Sequence, residues 1–131
     1  PLLTIPLIAS GPMTEMNFYE TAAQVITAIV SGGSIEAGSA AKNVLIDHVT
    51  PMSPLWASEV AHAVIGMRRT EANEIVNRLL SKYENNLDNP PRGKKYQECY
   101  DIETSEPTTE HMELYRRVKK EVAGYGLKFK Y

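Results

Sequence analysis

The side chains able to do chemistry in this 131-residue chain are few and scattered. His48, His62 and His111 have no second histidine or cysteine at ligand spacing, and His62 with Glu59 falls short of the paired-histidine zinc motif. They read as ordinary surface or helix-face histidines, and no metal site is expected. Cys99 stands alone, so it forms no intrachain disulfide. It reads as a half-buried thiol without chemistry, since a reactive thiol needs an electropositive setting. Ser31-Gly32-Gly33-Ser34 could cradle an anion on its backbone amides. It lacks the lysine and following helix of a phosphate-binding loop, so it reads as a helix end and linker. Lys94-Lys95 and Arg116-Arg117 with Lys119-Lys120 read as solvated faces, with a docking patch for an acidic partner as the alternative. No carboxylate pair, Ser-His-Asp set or Cys-His pair stands out, so no catalytic residue is assigned. What remains is the turn Ser10-Gly11-Pro12-Met13-Thr14-Glu15, whose polar pair follows a Gly-Pro bend.

The elements around that turn decide what it can be. Residues 2–9 read as a strand, apolar on both faces as in a parallel sheet, although Pro6 cannot donate to a ladder. Thr14 is an N-cap, and Met16, Tyr19, Ala22, Ala23, Val25, Ile26, Ile29 and Val30 form the stripe of a helix that Gly32 and Gly33 stop. Strand, turn and helix make one βα step. In α/β barrels the active site lies at the carboxyl ends of the strands. If residues 2–9 are a barrel strand, Thr14 and Glu15 lie at the mouth as candidate substrate-binding residues. Plain helix capping is the simpler reading.

Residues 34–42 are small, and 44–46 form a brief apolar run, a strand or a buried turn. Ser53 caps a helix with Pro54 at its first position and Leu55, Trp56, Val60, Ala61, Val64 and Ile65 inward. Thr70 caps the next, whose stripe runs Ala72, Ile75, Val76, Leu79, Leu80, Tyr83 and Leu87 until Asn89-Pro90-Pro91 ends it. Residues 92–107 show no periodicity and read as an extended arm, ordered by packing Tyr96, Cys99, Tyr100 and Ile102 on a neighbouring surface. A last helix is capped by Thr108 or Thr109, with Met112, Tyr115, Val118 and Val122 inward and Gly124 and Gly126 at its end. The chain thus divides into 1–33, strand, turn and helix; 34–89, a helical region; and 90–131, arm and C-terminal helix.

Composition bounds the partners. Fourteen Lys+Arg against sixteen Asp+Glu leave a net charge of −2, with no basic surface to attract nucleic acid or an anionic membrane. The apolar and charged fractions, 43% and 23%, are those of a globular protein. No segment approaches the roughly 18 unbroken apolar residues of a membrane span, and the apolar start has no basic flank and is too short for a signal peptide. A single thiol suits a reducing cytosol, so a soluble, cytoplasmic protein is expected. The first residues already look like a buried element without an initiator Met, so the chain is expected to begin in mid-fold.

Several uncommon strings recur in order: Gly11-Pro12-Met13-Thr14-Glu15-Met16, Val30-Ser31-Gly32, Gly38-Ser39-Ala40-Ala41-Lys42, Glu59-Val60-Ala61, Leu80-Ser81-Lys82-Tyr83-Glu84-Asn85-Asn86, Pro91-Arg92-Gly93-Lys94-Lys95-Tyr96-Gln97-Glu98-Cys99-Tyr100-Asp101, Pro107-Thr108 and Glu113-Leu114-Tyr115. In this order and spacing the chain resembles the C-terminal third of the corrinoid-dependent monomethylamine methyltransferases of methanogenic archaea. The resemblance implies a TIM barrel with added C-terminal helices, here an α/β C-terminal fragment with the last strand and a mostly helical remainder. It implies transfer of the methyl group of monomethylamine to the cobalt of a corrinoid carried by a separate small protein, with pyrrolysine holding the amine. No cofactor bound directly by this chain is expected. The family's pyrrolysine and a catalytic glutamate lie upstream of the matching region. Its glutamine and tyrosine near the end of the last barrel strand fall around Ile5, Pro6, Leu7 and Ile8, none of which matches. No catalytic residue is carried over, and the chain alone is expected to be inactive. The expected partners are the corrinoid protein, the missing N-terminal barrel portion or another subunit, and further copies in a homo-oligomer, but no nucleic acid and no membrane. A non-catalytic helical interaction module that binds the corrinoid protein is the alternative.

Overall fold

The computed structural model describes residues 2–37 and 45–130. The chain opens as a β-α-β unit: β1 (Leu3–Thr4), α1 (Glu15–Val30) and β2 (Ser34–Ile35). The strands are parallel, with Leu3 opposite Ser34 and Thr4 opposite Ile35. The amides of Ser34 and Glu36 donate to the carbonyls of Leu2 and Thr4 at 2.8 and 2.9 Å. A parallel pair needs a long crossover, and α1 supplies it. The expected strand over residues 2–9 is therefore joined by a second, formed from the start of the small-residue stretch. Its regular pairing is only two residues long, and Pro6 has no N–H with which to extend the ladder.

Within this chain, burial of the segment is one-sided. Pro6 and Ile8 are buried, while Leu3, Ile5 and Leu7 are 62%, 48% and 62% exposed. Side chains alternate along extended backbone, so the covered set faces one way and the bare set the other. The backbone is one-sided too. Leu2 and Thr4 point their carbonyls at β2, so Leu3, Ile5 and Leu7 address the opposite edge. There the side-chain amide of Gln24 accepts from the N–H of Leu7 at 2.8 Å and donates to its carbonyl at 2.7 Å, standing in for a strand. No described residue pairs with Leu3 or Ile5 on that edge. The expected element at 44–46 is not a strand in its described part: Leu45 lies outside regular structure and Ile46 is exposed in a turn, while residue 44 lies outside the described residues.

Thr14 caps α1 as expected, its hydroxyl accepting from the Asn17 amide at 3.3 Å, and Gly32 follows the helix with φ +84°. Around α1 pack α2 (Met52–Val64), α3 (Arg69–Tyr83) and α5 (Thr109–Gly124), which is why α1 is buried on most of its circumference. Two starts differ from the expected ones. Pro51, already helical at φ −57° and ψ −22°, precedes α2 and brings Ser53 inside it. Arg68 precedes α3 and brings Thr70 inside it, with no side-chain cap. The inner face of α2 is Met52, Trp56, Ala57, Val60 and Val64. Leu55 and Ile65 are exposed, Ile65 because the backbone leaves the helix there with ψ 125°. Ala72, Ile75, Leu79 and Tyr83 carry the α3 stripe, while Leu87 is exposed beyond a 3₁₀ turn at Glu84–Asn86.

The centre of the core is aromatic. Trp56 stands edge-on to Phe18 and Tyr115 with ring centres 5.6 and 6.2 Å away, lies 5.5 Å from Phe129, and donates its indole N–H to the Phe18 carbonyl at 2.9 Å. The arm contains a short helix, α4 (Tyr96–Cys99), and an antiparallel bridge between Tyr100 and Pro107. Cys99 and Tyr100 are buried, and Tyr96 stacks on Tyr100 at 5.4 Å. Ile102 is exposed, not pinned as expected, because it sits in the turn where Asp101 gathers the amides of Glu103 and Thr104. Thr108 caps α5, accepting from the His111 amide at 3.3 Å.

Candidate functional site

The strand-end turn is built from both sides. On the α1 side stands Glu20, a carboxyl group 2% exposed within the helix's apolar face. It accepts from the Ala9 amide at 3.2 Å, from the Ser10 amide at 3.0 Å and from the Ser10 hydroxyl. Asn17 donates its side-chain amide to the Ser10 carbonyl at 3.0 Å. Buried polar groups must be paired, and these four residues satisfy one another at the end of the extended opening segment.

On the other side stands the arm. The Gly11 amide donates to the Pro91 carbonyl at 2.9 Å, and the Lys94 amide to the Pro12 carbonyl at 3.0 Å. Between these bonds the backbones of Gly11 and Gly93 touch. A Cβ on Gly11 would lie 1.6 Å from the Arg92 oxygen, and one on Gly93 would lie 2.4 Å from both the Gly11 carbonyl carbon and the Pro12 oxygen. Only hydrogen at both α-carbons permits this approach. Met13 then takes φ +62°, unusual for a side-chain-bearing residue, as the chain swings into α1.

Both residues singled out from the sequence lie on this turn. The Thr14 hydroxyl donates to the Gly11 carbonyl at 2.8 Å while capping α1. Glu15 is ion-paired with Arg117 of α5 and borders an open cleft of about 480 Å³ lined by Met13, Glu15, Glu110, Glu113, Leu114 and Arg117. Thr14 is not part of that lining. Sequence reasoning missed Glu20, Asn17 and Gly93. A charge at position 20 inside the apolar stripe of α1 was the readable signal for the first.

The remaining candidates lie elsewhere. Burial and the neighbouring Glu98 push the Cys99 thiol up to about 11, which keeps it protonated and inert. It is fully buried, not half-buried as expected. Lys119 also departs from its expected solvated face. It turns inward to Glu59 at 3.0 Å and lies 5.3 and 5.2 Å from the ring centres of Tyr115 and Phe129. Glu121 ties three helices together, accepting from Tyr19 at 2.7 Å, Tyr125 at 2.6 Å and Lys82 at 2.7 Å. Burial works to raise its carboxyl, yet these donors hold it down at about 2. Among the described residues no three His, Cys, Asp or Glu side chains are placed to hold a metal ion, and no helix is long and apolar enough to cross a membrane.

Comparison with known proteins places this geometry. Residues 7–127 match the family model for monomethylamine methyltransferase MtmB. Monomethylamine methyltransferases of Methanosarcina acetivorans and Methanosarcina mazei are each 43% identical over 121 residues, covering 92% of this chain and 26% of the relative. The crystal structure of the Methanosarcina barkeri enzyme superposes with a TM-score of 0.88 at 41% identity, over 94% of this chain and 27% of that one. A crystal structure of a hydroxylamine complex of the enzyme superposes equally well, at 40% identity. The chain spans about a quarter of the length of the relatives it matches.

Proposed function

The chain belongs to the monomethylamine methyltransferase family, and from that membership we propose that it forms the C-terminal part of a barrel that moves the methyl group of monomethylamine to a corrinoid protein during methanogenesis. The observation that carries this reading is the one-sided opening segment. Leu3, Ile5 and Leu7 present a bare apolar face, and among the described residues the edge beside it is unpaired at Leu3 and Ile5. An apolar strand with an open edge calls for neighbouring strands, and a closed barrel supplies both an interior and an edge partner. The remaining barrel portion is the partner this face fits.

In this reading the chain's own residues hold the barrel mouth. Glu20 and Asn17 fix the end of the strand, and Gly11 with Gly93 fixes the turn beyond it. Thr14 and Glu15 remain the substrate-side candidates, Glu15 through the cleft it shares with Arg117. The corrinoid, on its own protein, supplies the acceptor for the methyl group, and the nitrogen leaves as ammonia. A cytoplasmic setting and self-association belong to the same reading.

The chain alone is expected not to catalyse the reaction, because the groups that orient and activate the amine lie outside it. Incubated with monomethylamine and a reduced corrinoid protein, it should leave the cobalt spectrum changing at the rate of buffer. Methylation of the corrinoid clearly faster than buffer would overturn the proposal that the catalytic groups are supplied from elsewhere.

A further inference from the structure

His111 lies in the first turn of α5 and is 1% exposed, and neither ring nitrogen has a hydrogen-bond partner among the described residues. A neutral imidazole carries one donor and one acceptor, and burying both unmet is costly. Protonation in place would be costlier, since a second N–H and a full charge would enter the same apolar site. The ring is instead held by other rings. Tyr100 of the arm meets it edge-on at 5.7 Å, and Phe18 of α1 lies at 6.4 Å.

The charged neighbourhood offers the cation nothing. From the arm the facing titratable group is the Tyr100 phenol, with the Cys99 thiol next to it in the chain, and burial raises both, so neither is charged near neutrality. From α1 the facing residue is Phe18. On α5 itself Glu110 turns outward to Lys94 at 3.3 Å, and Tyr115 is bound to Glu59 and Lys119. Burial alone sets the direction of the shift, which is downward.

The segment that shields His111 carries little regular structure. Between Lys94 and Thr108 it has one four-residue helix and a single bridge, and it is tied to the rest of the fold by the Lys94 amide on the Pro12 carbonyl at 3.0 Å, the Tyr96 amide on the Asp47 carbonyl at 2.7 Å and the Lys94–Glu110 ion pair at 3.3 Å. Segments with few such anchors open at lower free energy than a packed core. We propose that residues 94–108 are an acid-released latch, closed while the buried His111 ring is neutral and opened when that ring takes up a proton. The open arm gives His111 an ordinary histidine environment, so the open state binds the proton first. Closure is therefore complete above about pH 6.5 and weakens as pH falls below it. One proton shifts the balance by up to about tenfold per pH unit until the closed state also titrates. The latch does not depend on the methyl-transfer reading.

Amide exchange followed by NMR on the full chain, corrected for intrinsic rates, tests it between pH 7.5 and 5.5. The Tyr100, Asp101 and Thr108 amides should lose protection by up to about tenfold per pH unit below about 6.5, while Val25 and Ile26 of α1 keep theirs. His111→Phe should abolish that step in the arm. A step that persists in this variant would have a source other than His111 and would overturn the latch, as would loss of protection in α1 together with the arm. Should His111→Phe fail to fold, titration of the His111 ring in the unaltered chain decides. A pKa below the ordinary histidine value, coupled to arm exposure, supports the latch; an ordinary value with an unchanged arm overturns it.

Discussion

Trp56→Ala is expected to destabilise the chain by about 3–5 kcal/mol, the range for deleting a large buried aromatic side chain. Trp56 is 1% exposed and joins α1, α2, α5 and the C-terminal tail through Phe18, Tyr115 and Phe129. Alanine removes the ring, leaves a cavity that four elements cannot all close, and strands the Phe18 carbonyl that now accepts the indole N–H. The stability of a whole domain is only about 5–15 kcal/mol, so the variant should sit near the threshold of folding. Trp56→Phe keeps much of the packing and loses the hydrogen bond, so it should cost less, about 1–3 kcal/mol. Urea unfolding of the two variants against the parent checks both values. A loss below about 1.5 kcal/mol for Trp56→Ala would mean that these elements do not meet at this ring.

Gly93→Ala is the second large effect, because it attacks the clasp at the strand end. Gly93 has φ +71°, which costs an alanine about 1–2 kcal/mol before any contact is considered. Its Cβ would also fall 2.4 Å from the Pro12 oxygen and the Gly11 carbonyl carbon, both of them backbone atoms that no rotamer change can move. The clasp must part, and the two backbone hydrogen bonds that flank it are worth about 1 kcal/mol each. A total of about 3–4 kcal/mol follows. Gly32→Ala is the internal control. Gly32 has φ +84° but nothing within 4 Å of its would-be Cβ, so its variant should lose only the conformational part, about 1–2 kcal/mol. Equal melting temperatures for the two variants would show that the Gly11–Gly93 approach contributes nothing.

Local signals in the sequence located the helices well. Thr14 and Thr108 cap where a hydroxyl before an apolar stripe should, and the stripes of α1, α3 and α5 face the core with only their margins exposed. The caps proposed at Ser53 and Thr70 came out inside their helices, because Pro51 is already helical before α2 and Arg68, still extended, takes the cap position before α3. Two-residue strands carry almost no periodic signal, so β2 was hidden in a stretch of small residues. The bare face of residues 3–7 was not legible either, since an apolar run does not say which neighbours cover it. The clasp was the least readable feature. It joins Gly11 to Gly93 across most of the chain, and its trace in the sequence is two glycines, each with a plausible local reason to be there. Glu20 was legible in principle, as a carboxyl on a face that is otherwise apolar.

The central claim is that this chain serves as the C-terminal part of a monomethylamine methyltransferase barrel. A chimera tests it most directly, in which the matching region of the Methanosarcina barkeri enzyme, 41% identical by structural superposition, is replaced by this chain. The measurement is monomethylamine-dependent methylation of the corrinoid protein by the purified chimera. The account predicts a folded chimera that methylates the corrinoid protein at a rate well above buffer, with the bare face of Leu3, Ile5 and Leu7 closed against the neighbouring strands. A chimera that folds and assembles but methylates no faster than buffer would contradict the claim.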